Sequence, residues 1–155
     1  MTANRIAAIG LVRTDRSDPS DSGWGDVVST IALDPARFDE SALRGLEEFS
    51  HVEVVFLFHE IPEARICSGA RRPREDPRWP LLGIFAQRGA ARPSRIGVSR
   101  AAIVAVRGTE LDVRGLDALD GTPVLDIKPW FREFGPRGET RQPGWCAEVM
   151  EGYFE

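Results

Sequence analysis

The sequence predicts an all-β protein, either a barrel or a sandwich of short strands. Six or more short apolar segments follow one another at regular spacing, and clusters of Gly, Pro, Asp and Ser separate them. Helical periodicity is confined to short stretches. No G-x-G-x-x-G motif lies between a strand and a helix, which argues against a doubly wound nucleotide-binding fold.

The beginning of the chain predicts two strands joined by a polar loop. Residues 5–13 form an apolar run bounded by arginines, and residues 26–33 are rich in β-branched side chains, as is typical of strands. Between them, residues 14–25 concentrate Asp, Ser, Pro and Gly and therefore predict a loop. Trp24 is unusual in such a polar loop. An aromatic side chain at such a position either folds back onto the core or stacks on a ligand.

A short helix and a central strand are predicted next. Apolar residues spaced at i, i+3 and i+6 predict a helix over residues 42–49, with Ser41 as its cap. The following segment, HVEVVFLFH at residues 51–59, is the clearest strand in the sequence. Because both of its faces are mostly apolar, we expect it to lie in the interior of the sheet.

The second half of the chain alternates between loops and strands. Residues 60–82 contain four prolines and five arginines and predict no regular element, as in a long functional or disordered loop. Further strands are predicted at residues 83–86, 96–106, 110–116 and 124–128, with a helical turn or two within residues 144–153.

Arginine is concentrated in one part of the sequence. Residues 65–107 carry a net charge of +8, whereas the whole chain carries −4. Within this part, residues 88–95 place three arginines among Gly, Ala and Pro, which indicates an irregular loop between two strands. Such a loop offers forked donors to a carboxylate or a phosphate. The alternative interpretation is a solvated arginine-rich loop without a ligand.

Composition limits the kind of protein to consider. With 155 residues, 42% of them hydrophobic and 28% charged, we expect one domain with a substantial core. Cys67 and Cys146 show no metal-type spacing, so we predict no metal and free thiols in a reducing compartment. Without a signal-like or membrane-spanning apolar run, we expect a cytoplasmic protein with no membrane partner.

Six motifs occur in a fixed order over residues 5–131. They are IGLVR at 9–13, LRGLEEFSH at 43–51, FLFH at 56–59, GIFAQR at 83–88, RPSRIGVS at 92–99 and LDGTPVLDIKPW at 119–130. Together they resemble the TrmO family of S-adenosylmethionine-dependent tRNA methyltransferases, also called TsaA-like. The last motif is the most specific of the six.

This resemblance implies a fold and an activity. It implies a small β-barrel of short strands, with one or two short helices and long loops, as a single domain over residues 1–155 with a C-terminal extension at 132–155. It also implies a homodimer that binds S-adenosylmethionine near the subunit interface and methylates N6 of threonylcarbamoyladenosine in tRNA, beside the anticodon. The alternatives are a different acceptor, or a non-catalytic module that binds the same donor.

The resemblance also implies site residues. Family contacts to the methyl donor fall on His59, Glu60, Arg88, Val98, Ala118, Leu119, Asp120 and Gly121. Either Arg88 or Arg92 is suited to form a forked hydrogen bond with the donor carboxylate. Removal of a proton from the acceptor nitrogen would fall to His59 or Asp126. We expect Arg71, Arg72 and Arg95 to contact nucleic acid.

Two departures from the family pattern concern this site. Arg88 is followed by Gly89 where the family usually has serine, and Ser94-Arg95 replaces Asn-Pro. The donor site is therefore expected to follow the family more closely than the acceptor site.

Overall fold

A closed six-stranded barrel forms the centre of the computed structural model, which describes residues 4–155. The strands are β1 (Gly10–Arg13), β2 (Val28–Leu33), β3 (His51–Leu57), β4 (Ala70–Arg71), β5 (Leu82–Gly83), β6 (Ile96–Arg107), β7 (Glu110–Arg114) and β8 (Pro123–Pro129). The barrel order is β1-β2-β7-β6-β3-β8, closed by antiparallel pairing of β1 with β8, while β4 and β5 form a separate pair. The all-β prediction is confirmed, as a barrel rather than a sandwich.

Strand β3 lies in the interior of the sheet, as predicted. It pairs with β6 on one side and β8 on the other. Val52, Val54 and Phe56 alternate toward the barrel interior and are almost fully buried. The outward residues Val55 and Leu57 are half-buried. Alternation of period two therefore sets which side chains fill the core.

Gly97 on β6 makes room for two aromatic rings. A Cβ atom at this position would lie 2.5 Å from Cζ of Phe56 and 2.9 Å from Cζ of Phe58. The two rings contact each other edge to face, with centroids 5.2 Å apart. The end of β3 is thereby fixed by packing immediately before His59.

The predicted helix over residues 42–49 is wrong. Two 3-10 turns, Glu40–Leu43 and Leu46–Glu48, occupy this stretch. Gly45 separates them with a φ of 93°, a left-handed conformation that interrupts a right-handed helix. The carboxylate of Asp39, rather than Ser41, caps the first turn. Buried Leu43 nevertheless faces the barrel core, as its apolar spacing suggested.

Further parts of the chain differ from the sequence prediction. Residues 60–82, predicted to hold no regular element, contain β4, which pairs with β5, and two 3-10 turns, Glu63–Arg65 and Pro73–Glu75. The first strand begins only at Gly10, because residues 4–9 take no strand pairing. The predicted strand at 83–86 is wrong, since β5 ends at Gly83 and Ile84–Ala86 is a 3-10 turn. Its apolar character has a different cause, because Ile84 is buried whereas Phe85 is exposed. The single α-helix of residues 4–155, α1 (Gly144–Val149), lies where a helical turn was predicted.

Strand direction determines which loops share an end of the barrel. Strands β1, β3 and β7 finish at one end, where β2, β6 and β8 begin, because all neighbouring strands are antiparallel. We call this the upper end. It carries the loops 14–27, 58–69, 88–95 and 115–122. Trp24, in the first of these loops, is buried and so folds back onto the protein.

Candidate functional site at the upper end of the barrel

The segment 115–122 closes the upper end. Leu116 and Ala118 are buried in the barrel core, which holds the first half of the segment in place. The second half is fixed by backbone hydrogen bonds, from Asp120 N to Arg16 O (3.1 Å) and from Gly121 N to Val12 O (2.8 Å). Leu119, Asp120 and Gly121 are left partly or fully exposed at the rim.

His59 lies against this segment. Its Nδ1 is 3.3 Å from Oγ1 of Thr122, and its Nε2 is 3.9 Å from a carboxylate oxygen of Glu60. A Cβ atom on Gly121, which has a φ of +76°, would lie 3.8 Å from Nε2. The structure therefore brings Gly121 close to His59, which lies about sixty residues earlier in the sequence and directly precedes Glu60.

A second group of predicted residues meets on the loop 88–95 and strand β6. The guanidinium of Arg88 donates to the carbonyl of Val98 (2.8 Å), and Arg92 donates to the carbonyl of Gln87 (2.9 Å). The amide of Phe58 donates to Arg95 O (2.8 Å), which ties this loop to the one that carries His59. The guanidinium of exposed Arg88 has further donors available to a ligand.

Asp126 lies on the outward face of β8. It is opposite Val55 of β3, and its carboxylate forms an ion pair with Lys128 (2.8 Å) and accepts from the amide of Ile127 (2.9 Å). Through this carboxylate the pKa of Lys128 is raised. No hydrogen bond or ion pair joins Asp126 to His59 within residues 4–155.

The three arginines expected to contact nucleic acid each have a partner within the chain. Arg71 forms an ion pair with Glu75 (3.1 Å), Arg72 donates to the carbonyl of Trp79 (2.5 Å), and Arg95 donates to the carbonyl of Ile61 (3.3 Å). Guanidinium groups thus supply the hydrogen bonds that irregular loops lack. Much of the positive charge of this region also holds its loops together.

Sequence reasoning missed a cluster beside the site. Both oxygens of the Asp117 carboxylate accept hydrogen bonds, one from the hydroxyl of Ser99 and the other from the hydroxyl of Tyr153 (2.5 Å). Asp117 directly precedes Ala118, and Tyr153 is the only tyrosine of the chain. The lone tyrosine, in a tail that also contains Trp145, Met150 and Phe154, was the one available signal for this contact.

The described residues also limit other kinds of site. Within residues 4–155, no group of three or more His, Cys, Asp or Glu side chains is arranged to hold a metal ion. In the same part of the chain, every helix is too short or too polar to span a bilayer.

Comparison with known proteins gives a consistent family. The family model described as tRNA-methyltransferase O N-terminal domain matches residues 12–135. A Pyrococcus abyssi protein named a probable S-adenosyl-L-methionine-binding protein is 35% identical over 90% of this chain and 74% of its own length. The mouse tRNA (adenine(37)-N6)-methyltransferase is 39% identical over 61% of this chain, but over only 22% of its own length.

The fold is similar to that of solved structures with the same family description. The crystal structure of TrmO from Pseudomonas aeruginosa superposes with a TM-score of 0.72 and 30% sequence identity, and the match covers 90% of this chain. It covers 62% of the crystallised chain, so the present chain spans less than two thirds of that protein.

Proposed function

Because this chain belongs to the TrmO N-terminal domain family, we propose that it transfers a methyl group from S-adenosylmethionine to N6 of an adenosine in tRNA. The proposed acceptor is threonylcarbamoyladenosine beside the anticodon. One observation carries the proposal: His59, Glu60 and the segment Ala118 to Gly121 converge at the upper end, with Arg88 and Val98 on the adjoining loop and strand.

The residues of the upper end fit this cofactor chemically. The exposed Arg88 guanidinium suits the amino-acid carboxylate of the donor, whereas Glu60 and Asp120 suit its ammonium or ribose hydroxyl groups. Val98 and Leu119 offer half-buried apolar surface to the adenine ring. Gly121 lies beside His59 and has a φ of +76°, a conformation that favours glycine. When bound, S-adenosylmethionine supplies an electrophilic methyl group on its sulfonium sulfur.

His59 is our candidate for the group that removes the proton from the acceptor nitrogen. A tautomer protonated at Nδ1 donates to the Thr122 hydroxyl and leaves Nε2 free to accept a proton. Asp126 is less suited to this role, because Lys128 already neutralises its carboxylate on the outer face of β8. The remaining rate enhancement would come from alignment of the donor and the acceptor by the upper-end loops.

We also propose that the active form is a homodimer with the donor site near its interface. Leu81 and Phe85 are large exposed apolar residues on the segment that leads to Arg88, and a second copy would cover them. Analytical ultracentrifugation should detect a dimer at micromolar concentration, and a monomer there would contradict this.

We further propose that residues 1–155 act as one domain, because the tail contacts the 14–25 loop.

The activity can be tested with purified protein and a defined tRNA. The substrate is tRNA that carries unmethylated threonylcarbamoyladenosine, and the products are digested and examined by nucleoside mass spectrometry after incubation with S-adenosylmethionine. We expect a gain of one methyl group on that nucleoside. Unchanged nucleosides, under conditions where the cofactor binds in calorimetry, would contradict the proposed acceptor.

Cofactor binding without methylation of the tRNA nucleoside would favour the alternative function, an S-adenosylmethionine-binding protein with another acceptor or with none. Two observations give the alternative some support. Ser94 and Arg95 depart from the family pattern on the acceptor side, and Arg71, Arg72 and Arg95 are engaged within the chain rather than left free for phosphates.

A further inference from the structure

The C-terminal tail is attached to the loops of the upper end at several points. The amides of Gly23 and Trp24 donate to the carbonyls of Gly152 (3.2 Å) and Tyr153 (2.9 Å), two successive hydrogen bonds between the loop 14–25 and the tail. Gly25 permits this approach, because a Cβ atom there would lie 2.0 Å from the carbonyl oxygen of Phe154. The tail therefore packs directly against backbone of the upper end.

A second set of contacts holds the start of the tail. The indole of buried Trp79 donates to the carboxylate of Glu148 on α1 (2.9 Å). Arg74 forms an ion pair with Asp21 (3.2 Å) and also donates to the carbonyl of Val149. Glu148 and Val149 shortly precede Tyr153 in the chain. Their contacts therefore fix where the Tyr153 side chain reaches the upper end.

The hydroxyl of Tyr153 forms a hydrogen bond with the carboxylate of Asp117. It donates to Oδ2 at 2.5 Å, while Ser99 donates to the other oxygen, so both carboxylate oxygens have a neutral donor. Burial and the adjacent Asp117 carboxylate raise the pKa of Tyr153, which keeps the hydroxyl protonated as the donor. A hydrogen bond to a charged acceptor is stronger than one between neutral groups.

Asp117 stands at the start of the segment that is proposed to hold the cofactor. It lies between Leu116 and Ala118, which are buried, and it is the side-chain anchor of the segment's first half. The later residues Asp120 and Gly121 are anchored through their backbone amides, and the Asp120 carboxylate also accepts from the amide of Thr14 (3.1 Å). Loss of the Tyr153 contact would loosen the first half while leaving the backbone anchors in place.

We propose that the C-terminal tail is part of the cofactor site and that Tyr153 is a positioning residue, acting through Asp117 on the segment Ala118 to Gly121. This inference rests on the proposed binding of S-adenosylmethionine at the upper end. It assigns a role in donor binding to residues 144–155, which lie outside the matched range 12–135. The tail would set the shape of the site without touching the acceptor.

The test compares the full chain with Tyr153→Phe, which removes only the hydroxyl. In calorimetry, we expect Tyr153→Phe to weaken S-adenosylmethionine binding by roughly three- to tenfold, the range expected for one hydrogen bond. Without cofactor, we expect faster hydrogen exchange at the amides of residues 115–118, the first half of the segment, and unchanged exchange at the anchored amides of Asp120 and Gly121. Glu151→Ala, an exposed substitution on the same tail, is the matched control and should change neither quantity.

A double-mutant cycle separates positioning from general stabilisation. If Tyr153 acts through Asp117, Tyr153→Phe should have no further effect on cofactor affinity in the Asp117→Ala background. Fully additive effects, or wild-type affinity in Tyr153→Phe, would overturn the inference while the proposed function stands. Lack of cofactor binding by the unmodified protein would overturn both, whereas binding without methylation of tRNA would overturn only the proposed reaction.

Discussion

Replacing His59 with glutamine is expected to slow methyl transfer by roughly 10²–10⁴-fold, the usual contribution of a positioned general base. Glutamine retains a polar side chain of similar reach toward Thr122 but accepts no proton. The loss should fall mainly on kcat, because the donor-binding contacts of Arg88, Val98 and the segment Ala118 to Gly121 remain. Single-turnover assays with labelled S-adenosylmethionine and tRNA measure it.

Asp126→Asn is the control for that experiment, and it decides between the two candidate bases. The Asp126 carboxylate lies on the outer face of β8 and is paired with Lys128. We therefore expect its removal to change kcat by less than about threefold, as for an exposed substitution. A large loss in Asp126→Asn together with near-normal turnover in His59→Gln would reverse the assignment.

Substitution of Arg88 by alanine is expected to weaken S-adenosylmethionine binding by roughly ten- to hundredfold, the range for loss of a charge-assisted hydrogen bond. The guanidinium is exposed and is held toward β6 by its hydrogen bond to Val98 O, which presents its other donors to a ligand carboxylate. Isothermal titration calorimetry measures the dissociation constant, and thermal unfolding of the same sample should show that the fold persists.

Arg44→Ala provides a matched change of charge at the other end of the barrel. Arg44 is exposed beside the turn that carries Leu43, so its loss should leave cofactor affinity within about twofold, as for a distant surface substitution. If Arg44→Ala weakened binding as much as Arg88→Ala, the effect would reflect net charge rather than a contact at the upper end.

Most of the strands could be predicted because their signals are local. The alternation at residues 51–59 identified β3 and its interior position, since a strand buried on both sides needs apolar residues on both faces. Closure into a barrel could not be derived in this way. It depends on the pairing of β1 with β8, whose residues are more than a hundred positions apart.

Local patterns also caused the errors. Residues 42–49 have helical spacing, but Gly45 adopts a left-handed conformation that replaces the helix by two 3-10 turns. At residues 83–86, an apolar run was interpreted as a strand, although only Ile84 is buried and Phe85 is exposed. In both cases the tertiary position of one residue outweighed the propensity of its neighbours.

The site was predictable as far as motifs identify residues, and no further. The family motifs named His59 and Gly121, and the fold brings them together. The motifs did not indicate that Arg71 would pair with a carboxylate, or that Arg72 and Arg95 would donate to backbone carbonyls. The sequence does not show which partner a loop brings near. Contacts with the tail were missed for the same reason.

Assignment of the cofactor site to the upper end can be tested by amide chemical-shift mapping of the isotope-labelled protein during titration with S-adenosylmethionine. We expect the perturbed amides to cluster at His59, Glu60, Val98 and the segment Ala118 to Gly121, with little change near Leu43 and Gly108 at the opposite end. Shifts confined to that opposite end, or no shifts at millimolar cofactor, would contradict the account.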